Sequence, residues 1–312
     1  MRRTTTRLMA ALALLPLAAH AFATDDATQV SFVTPPWPGV TVKTEIMAQI
    51  LEPLGYSSER QALSSTVGYT TLQTGDSDVF LAGWLPAQQS SYDAAMDDGT
   101  IVDLGNNVTG ARMGFAVPGY VFDAGVTSAE QLDDPENRKR FGGRYYSIET
   151  GSTVSDFIHA AKRHDTYGLG DWELLESSTP GMLSAVRSAY DEKRWVAFYG
   201  WTPHWMVPEF DMHILDDPAG IYGENQGRSD VRTIVAKPFS EANPNLMRLL
   251  DQFVLSAEQQ SDFIREYGLA ERELETVARE WLQAHPDELA DFLEGVTTRD
   301  GEPGLEAIKA SL

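Results

Sequence analysis

Two distant stretches of the chain share one arrangement: VFLAGWLPAQ, from Val79 to Gln88, and VAFYGWTPHW, from Val196 to Trp205. In each, an apolar run ends at Gly-Trp, one residue follows, and proline comes next. A glycine lets another group approach closely, and a proline stiffens the loop. The residues held this way are Trp84 and Trp201. A third indole, Trp37, sits between prolines in PPWPG. Indole faces carry partial negative charge, so they attract a cation that has no hydrogen bonds to give, above all a quaternary ammonium group. Each face contributes roughly 0.5–2 kcal/mol. The plainer alternative is that each indole caps its own core, and Trp172, Trp195 and Trp281 are read that way.

Three faces supply about 6 kcal/mol, whereas micromolar binding needs about 8 kcal/mol. A grip on an anionic end of the ligand would provide the rest. The stretch ETGSTV ends a strand and opens a helix, so Gly151, Ser152 and Thr153 offer backbone N–H groups and two hydroxyls to an anion. Gly39 and Val40 offer the same more weakly. His204, three residues after Trp201, can donate a hydrogen bond or carry charge near neutral pH; a structural histidine bonded to backbone is the alternative.

The elements that position these groups alternate. VSFVT reads as a strand, and Val42, Ile46, Ile50 and Leu54 recur at helical spacing before Gly55. SSERQAL is a second strand, Ser65 to Thr74 a helix, and VFLAG a third strand. The middle of the chain repeats the plan through GARMGFAVPGYV, GRYYSIETGS, VSDFIHAAKRH, TPGMLSAVRSAYDEKR and WVAFYGW. MHILDD and RTIVAK are further strands, and the remainder is mostly helical. Alternating strands and helices predict a doubly wound α/β architecture, in which ligands bind beyond the carboxyl ends of the strands. Trp37, Trp84 and Trp201 all fall there, so two facing lobes would bring them to one cleft.

Bulk properties narrow the function. The chain has 312 residues, no cysteine and a formal net charge of -22. Such a surface repels nucleic acid and anionic lipid, and neither a disulfide nor a thiolate metal site can form. No cofactor or metal motif is found. The N-terminus has a basic head at Arg2, Arg3 and Arg7, an apolar stretch from Leu8 to Ala19, and small residues in AHAFA. This reads as a secretory signal cleaved after Ala21 or, preferably, Ala23. Removing residues 1–23 takes away three arginines and no acid, which brings -22 to -25. With no cysteine at the cleavage site, the exported protein is expected free in a periplasm, without a lipid anchor. An exported hydrolase using His204 is a remote alternative, because G-x-S-x-G, H-E-x-x-H and P-loop signatures are missing.

The blocks VGYTTLQTGDSDVFLAGWLP, YYSIETGS, ESSTPGMLSAV and GWTPHWM resemble, in the same order, those of the substrate-binding proteins of ABC importers for glycine betaine, choline and related quaternary amines. The tail LEGVTTRDGEPGLEAIKASL is most similar to the choline-binding branch. The resemblance implies a two-lobed type II periplasmic binding protein fold that closes on its ligand. It implies an aromatic box containing Trp84 and Trp201, with Trp37 added on the choline pattern. The protein is expected to be a non-enzymatic monomer that delivers its ligand to a membrane permease; a ligand-sensing subunit for a membrane signalling partner is a further reading that needs the same closing cleft. One lobe is expected from residues 24–111 with 207–312, and the other from 112–206. Where the choline branch has an acidic residue two places after the first-loop Trp, this chain has Gly39. A box tyrosine expected near GARMGF is replaced by Met113. A carboxylated solute such as glycine betaine is therefore expected as ligand, with choline as the alternative.

Overall fold

The computed structural model describes residues 28–312, and the segment read as a signal, residues 1–23, lies outside them. Ten strands form two five-stranded sheets. The first sheet contains β1 (Gln29–Val33), β2 (Ser57–Gln61), β3 (Val79–Leu85), β4 (Ile101–Val108) and β10 (Asp230–Ala236), in the order β2-β1-β3-β10-β4. The second contains β5 (Arg112–Pro118), β6 (Arg144–Ser147), β7 (Glu173–Glu176), β8 (Ala197–Thr202) and β9 (Met212–Ile214), in the order β7-β6-β8-β5-β9.

The two sheets follow one plan. In the first, β2, β1 and β3 are parallel, and β10 runs antiparallel between β3 and β4. In the second, β7, β6 and β8 are parallel, and β5 runs antiparallel between β8 and β9. The sheets are thus mixed rather than wholly parallel. Trp84 near the end of β3 and Trp201 near the end of β8 occupy equivalent places, each on the third strand. Each pairs with the antiparallel strand, Trp84 with Val231 and Trp201 with Met113. The peptide bonds Leu85–Pro86 and Thr202–Pro203 are both cis.

The glycines before the two indoles serve packing rather than a turn. A Cβ at Gly83 would stand 2.9 Å from Ile234 Cγ1 and 3.3 Å from Arg232 O. At Gly200 it would stand 2.5 Å from the Ala116 Cβ and 2.6 Å from Met212 Sδ. Contacts this short cannot be accommodated in a close-packed core without displacing a neighbouring strand.

The chain passes from the first sheet to the second between Val108 and Arg112. The return, expected after Met206, comes later. Met212–Ile214 pairs with β5 in the second sheet, and Asp230 is the first residue back in the first. Pro208 falls in the short helix Met206–Glu209, and strand pairing decides the membership.

Helices are set where the local signals put them. Ser64 caps the helix Ser65–Thr74 by accepting from the Val67 amide, and Gly75 ends it in the left-handed region at φ 79°. Ser256 and Gln259 form a reciprocal capping box at the start of Ala257–Gly268. The helix Pro38–Leu51 buries Val42, Ile46 and Ile50 completely. It packs against Ala257–Gly268 and Leu274–Ala284, so the C-terminal helices hold the helix that Trp37 precedes. Trp172 and Trp281 are buried in the core, and Trp195 is half-buried beneath the Arg140 guanidinium, 3.3 Å from its ring centre. Among the described residues, no helix is long and apolar enough to cross a membrane.

Candidate functional site

Trp37, Trp84 and Trp201 line one cavity of about 50 Å³ between the lobes. Since a single water needs about 10–15 Å³ on this measure, the space suits a small solute. The first lobe contributes Trp37, Gly39, Lys43, Trp84, Gln88 and Gln260; the second contributes Met113, Ser152, Thr153, Tyr199, Trp201 and His204. The lining has no carboxylate, and Lys43 is its one basic side chain besides His204.

Each indole is held by its neighbours. Trp37 is the residue before the first helix; its amide donates to Pro35 O at 2.7 Å and its carbonyl accepts from the Thr41 amide at 3.1 Å. Its Nε1–H crosses the cleft and donates to Glu149 Oε1 at 2.8 Å, so one hydrogen bond joins the two lobes at the mouth. The other oxygen, Glu149 Oε2, is buried without a partner. Trp201 is stacked with Tyr199, ring centres 5.2 Å apart at 28°, and meets the edge of His204 at 4.9 Å. Such contacts fix the indole face before any ligand arrives.

Tyr199 is the lining aromatic that the sequence reading missed. It stands two residues before Trp201 on β8, so strand alternation places both on one face. Its hydroxyl lies 3.3 Å from Met113 Sδ, so the methionine standing where a tyrosine was expected packs against a tyrosine from the next strand.

Of the residues expected to seat an anion, Ser152 and Thr153 line the cavity and Gly151 does not. Gly151 is exposed at φ 89°, where its role is to turn the chain in the left-handed region. The Ser152 hydroxyl is already committed, donating to Glu149 O at 3.0 Å and accepting from the Ser155 amide at 3.2 Å as the cap of the helix Thr153–Arg163. The Ser152 amide donates to Glu149 O at 3.3 Å. The donors left at the cavity are the amides of Thr153 and Val154, which open the helix and have no acceptor within it. Gly39 lines the cavity beneath Gln260: a Cβ there would stand 2.9 Å from Gln260 Nε2 and 3.3 Å from Ile264 Cδ1.

His204 is uncharged. Burial alone pulls its imidazole down to about 3, which removes the charged option near neutral pH. Nδ1 accepts from the Met206 amide at 3.1 Å, so the proton resides on Nε2. That Nε2 is buried without a partner and is a donor in need of an acceptor. Lys43 is also fully buried, and burial pulls its ammonium down to about 7. No group of three or more metal-ligating side chains occurs among the described residues.

A family model described as the substrate binding domain of ABC-type glycine betaine transport systems matches residues 28–284. The chain belongs to this family. Its members are substrate-binding proteins, not enzymes. The glycine betaine/carnitine transport binding protein of Listeria monocytogenes is 37% identical over 138 residues, a match spanning 44% of this chain and 45% of that protein. The glycine betaine/proline betaine-binding periplasmic protein of Escherichia coli is 26% identical over 86% of this chain and 94% of its own. The structure of an ABC-transporter choline binding protein in complex with choline superposes with a TM-score of 0.86 at 29% identity, covering 91% of this chain and 98% of that one. The fold is therefore the two-lobed periplasmic binding protein fold, with its ligand cleft between the lobes.

Proposed function

We propose that the protein captures glycine betaine or a closely related betaine and delivers it to the membrane permease of an ABC importer. The observation that carries this reading is the convergence of Trp37, Trp84, Trp201 and Tyr199 with a neutral His204, whose Nε2 has no partner, in one small cavity. The aromatic faces receive the trimethylammonium group. The His204 Nε2–H and the Thr153 and Val154 amides supply donors for a carboxylate. Family membership supports the delivery role, and a betaine agrees with the ligands named for the relatives from Listeria and Escherichia. A choline-specific protein is the second reading, favoured by the resemblance to the choline complex. On this proposal, residues 1–23 are a signal peptide, and the mature chain is a monomer free in the periplasm.

A thermal-shift panel tests it. At 100-fold excess over Kd a ligand adds about 2.7 kcal/mol of stability, and the midpoint should rise by several degrees. Glycine betaine should produce this rise, while glycine, which lacks the three methyl groups, should not. Equal shifts from both would mean that the aromatic faces contribute nothing.

Ligand enclosure also depends on the bond between Trp37 and Glu149. Trp37→Phe keeps an aromatic face but removes the N–H, and should weaken betaine binding by roughly 1–2 kcal/mol. Glu149→Gln keeps an acceptor and should weaken it less. Isothermal titration of both variants decides, and unchanged affinity in Trp37→Phe would show that the bond does not hold the cleft closed.

A further inference from the structure

Lys43 has no place in the aromatic box, yet it lines the same cavity. Its side chain is 1% exposed, and Nζ donates to Leu81 O and to Asn107 Oδ1, each at 2.7 Å. Both acceptors are neutral. Asn107 is itself fixed, its Nδ2 donating to Leu81 O and to Thr233 Oγ1, each at 3.0 Å. Among the described residues no carboxylate pairs with Lys43. The nearest acid in sequence on the same helix, Glu45, is bound to Arg60. The strands beneath present neutral groups: Leu81 and Ala82 from β3, Asn107 from β4 and Thr233 from β10. Gln260 covers the cavity from the C-terminal helices, and His204 and Tyr199 face it from the other lobe. Tyr199 is held neutral by burial, as is His204. The acid at the mouth, Glu149, accepts from Trp37 and acts electrostatically on Tyr199, but it forms no ion pair with Lys43 among the described residues.

We propose that Lys43 sets the charge selectivity of the cavity: its ammonium admits a solute of zero net charge and opposes one that is purely cationic. This rests on the betaine reading and goes beyond it, by assigning the discrimination to a residue outside the box. A charge buried without a counter-ion acts over several ångströms, because little water intervenes to screen it. Choline brings a second positive charge into that space. Glycine betaine brings a carboxylate with its ammonium, and so leaves the net charge of the cavity unchanged.

The selectivity must then move with pH. Lys43 titrates near neutrality, whereas His204 stays neutral above about 3 and Tyr199 titrates far above its ordinary range. Neither ligand gains or loses a proton between about pH 6 and about pH 9, so Lys43 is the cavity group that changes charge in that window. Below its titration it is charged and disfavours choline; above it is neutral and the penalty disappears.

The test is isothermal titration of the wild type and Lys43→Met with glycine betaine and choline, at about pH 6 and about pH 9. For the wild type, the Kd for choline should fall about tenfold or more on raising the pH, while that for glycine betaine changes much less. Lys43→Met should bind choline as tightly at the low pH as the wild type does at the high pH, with a melting curve confirming that it is folded. A wild-type choline-to-betaine ratio that is the same at both pH values overturns the proposal, as does a folded Lys43→Met that keeps the wild-type ratio and pH dependence. Should the variant not fold, the wild-type comparison decides alone. A wild type that binds neither ligand overturns the betaine reading and this proposal with it; binding of both with a pH-independent ratio overturns this proposal only.

Discussion

Trp201→Ala should reduce the affinity for glycine betaine by about 2–3 kcal/mol, roughly 30- to 150-fold. The indole is only 9% exposed, so its face acts in a nearly dry environment where a cation–π contact is strongest. It is also the shelf on which Tyr199 and His204 rest. Its removal therefore deletes one face and frees two further rings that line the cavity. Folding should suffer less than for an indole inside a lobe, because the space vacated opens onto the cavity and water can enter it. Titration together with thermal melting separates the two effects. Normal affinity in Trp201→Ala would make this indole a core residue that merely borders the cleft.

His204→Phe should weaken glycine betaine by about 1.5–3 kcal/mol, the contribution of a hydrogen bond to a charged group. The phenyl ring preserves the edge contact with Trp201 and the tilted contact with Trp205, but it offers no N–H to a ligand and no acceptor to the Met206 amide. Choline, which has no carboxylate, should lose much less. An equal loss for both ligands would place the carboxylate elsewhere. The same histidine gives the fold an acid sensitivity. Its folded value, about 3, lies below the unfolded 6.5. The unfolded chain therefore binds a proton that the folded chain refuses over the interval between these values. Stability is retained above about 6.5 and lost as the pH falls toward 3. In His204→Phe the decline in melting temperature over that interval should be shallower.

Much of the site was legible because its indoles lie in strand-end motifs that local pattern exposes. Gly-Trp-x-Pro occurs twice, and the repeated plan made Trp84 and Trp201 equivalent before any sheet was seen. Tyr199 was equally legible, since a period of two links it to Trp201. Lys43 and Gln260 were hidden for a different reason. A lysine on a helix is ordinarily solvated, and only the packing of that helix over Asn107 and against the C-terminal helices buries it. Gly151 reads like a donor in sequence, yet its positive φ turns the chain and leaves it outside the cavity. The return to the first lobe was misplaced because three residues, Met212–Ile214, decide it by pairing with β5, a contact made across almost a hundred residues of chain. Pairing over such a distance leaves no local trace in the sequence.

Calorimetric titration of the mature chain with glycine betaine, in the presence of a chelator, tests betaine capture most directly. The predicted result is saturable heat with one ligand per chain, abolished or strongly weakened in Trp201→Ala and unaffected by removing metal ions. A folded protein that gives no heat with glycine betaine, choline, carnitine, proline betaine or a sulfonium analogue would contradict it.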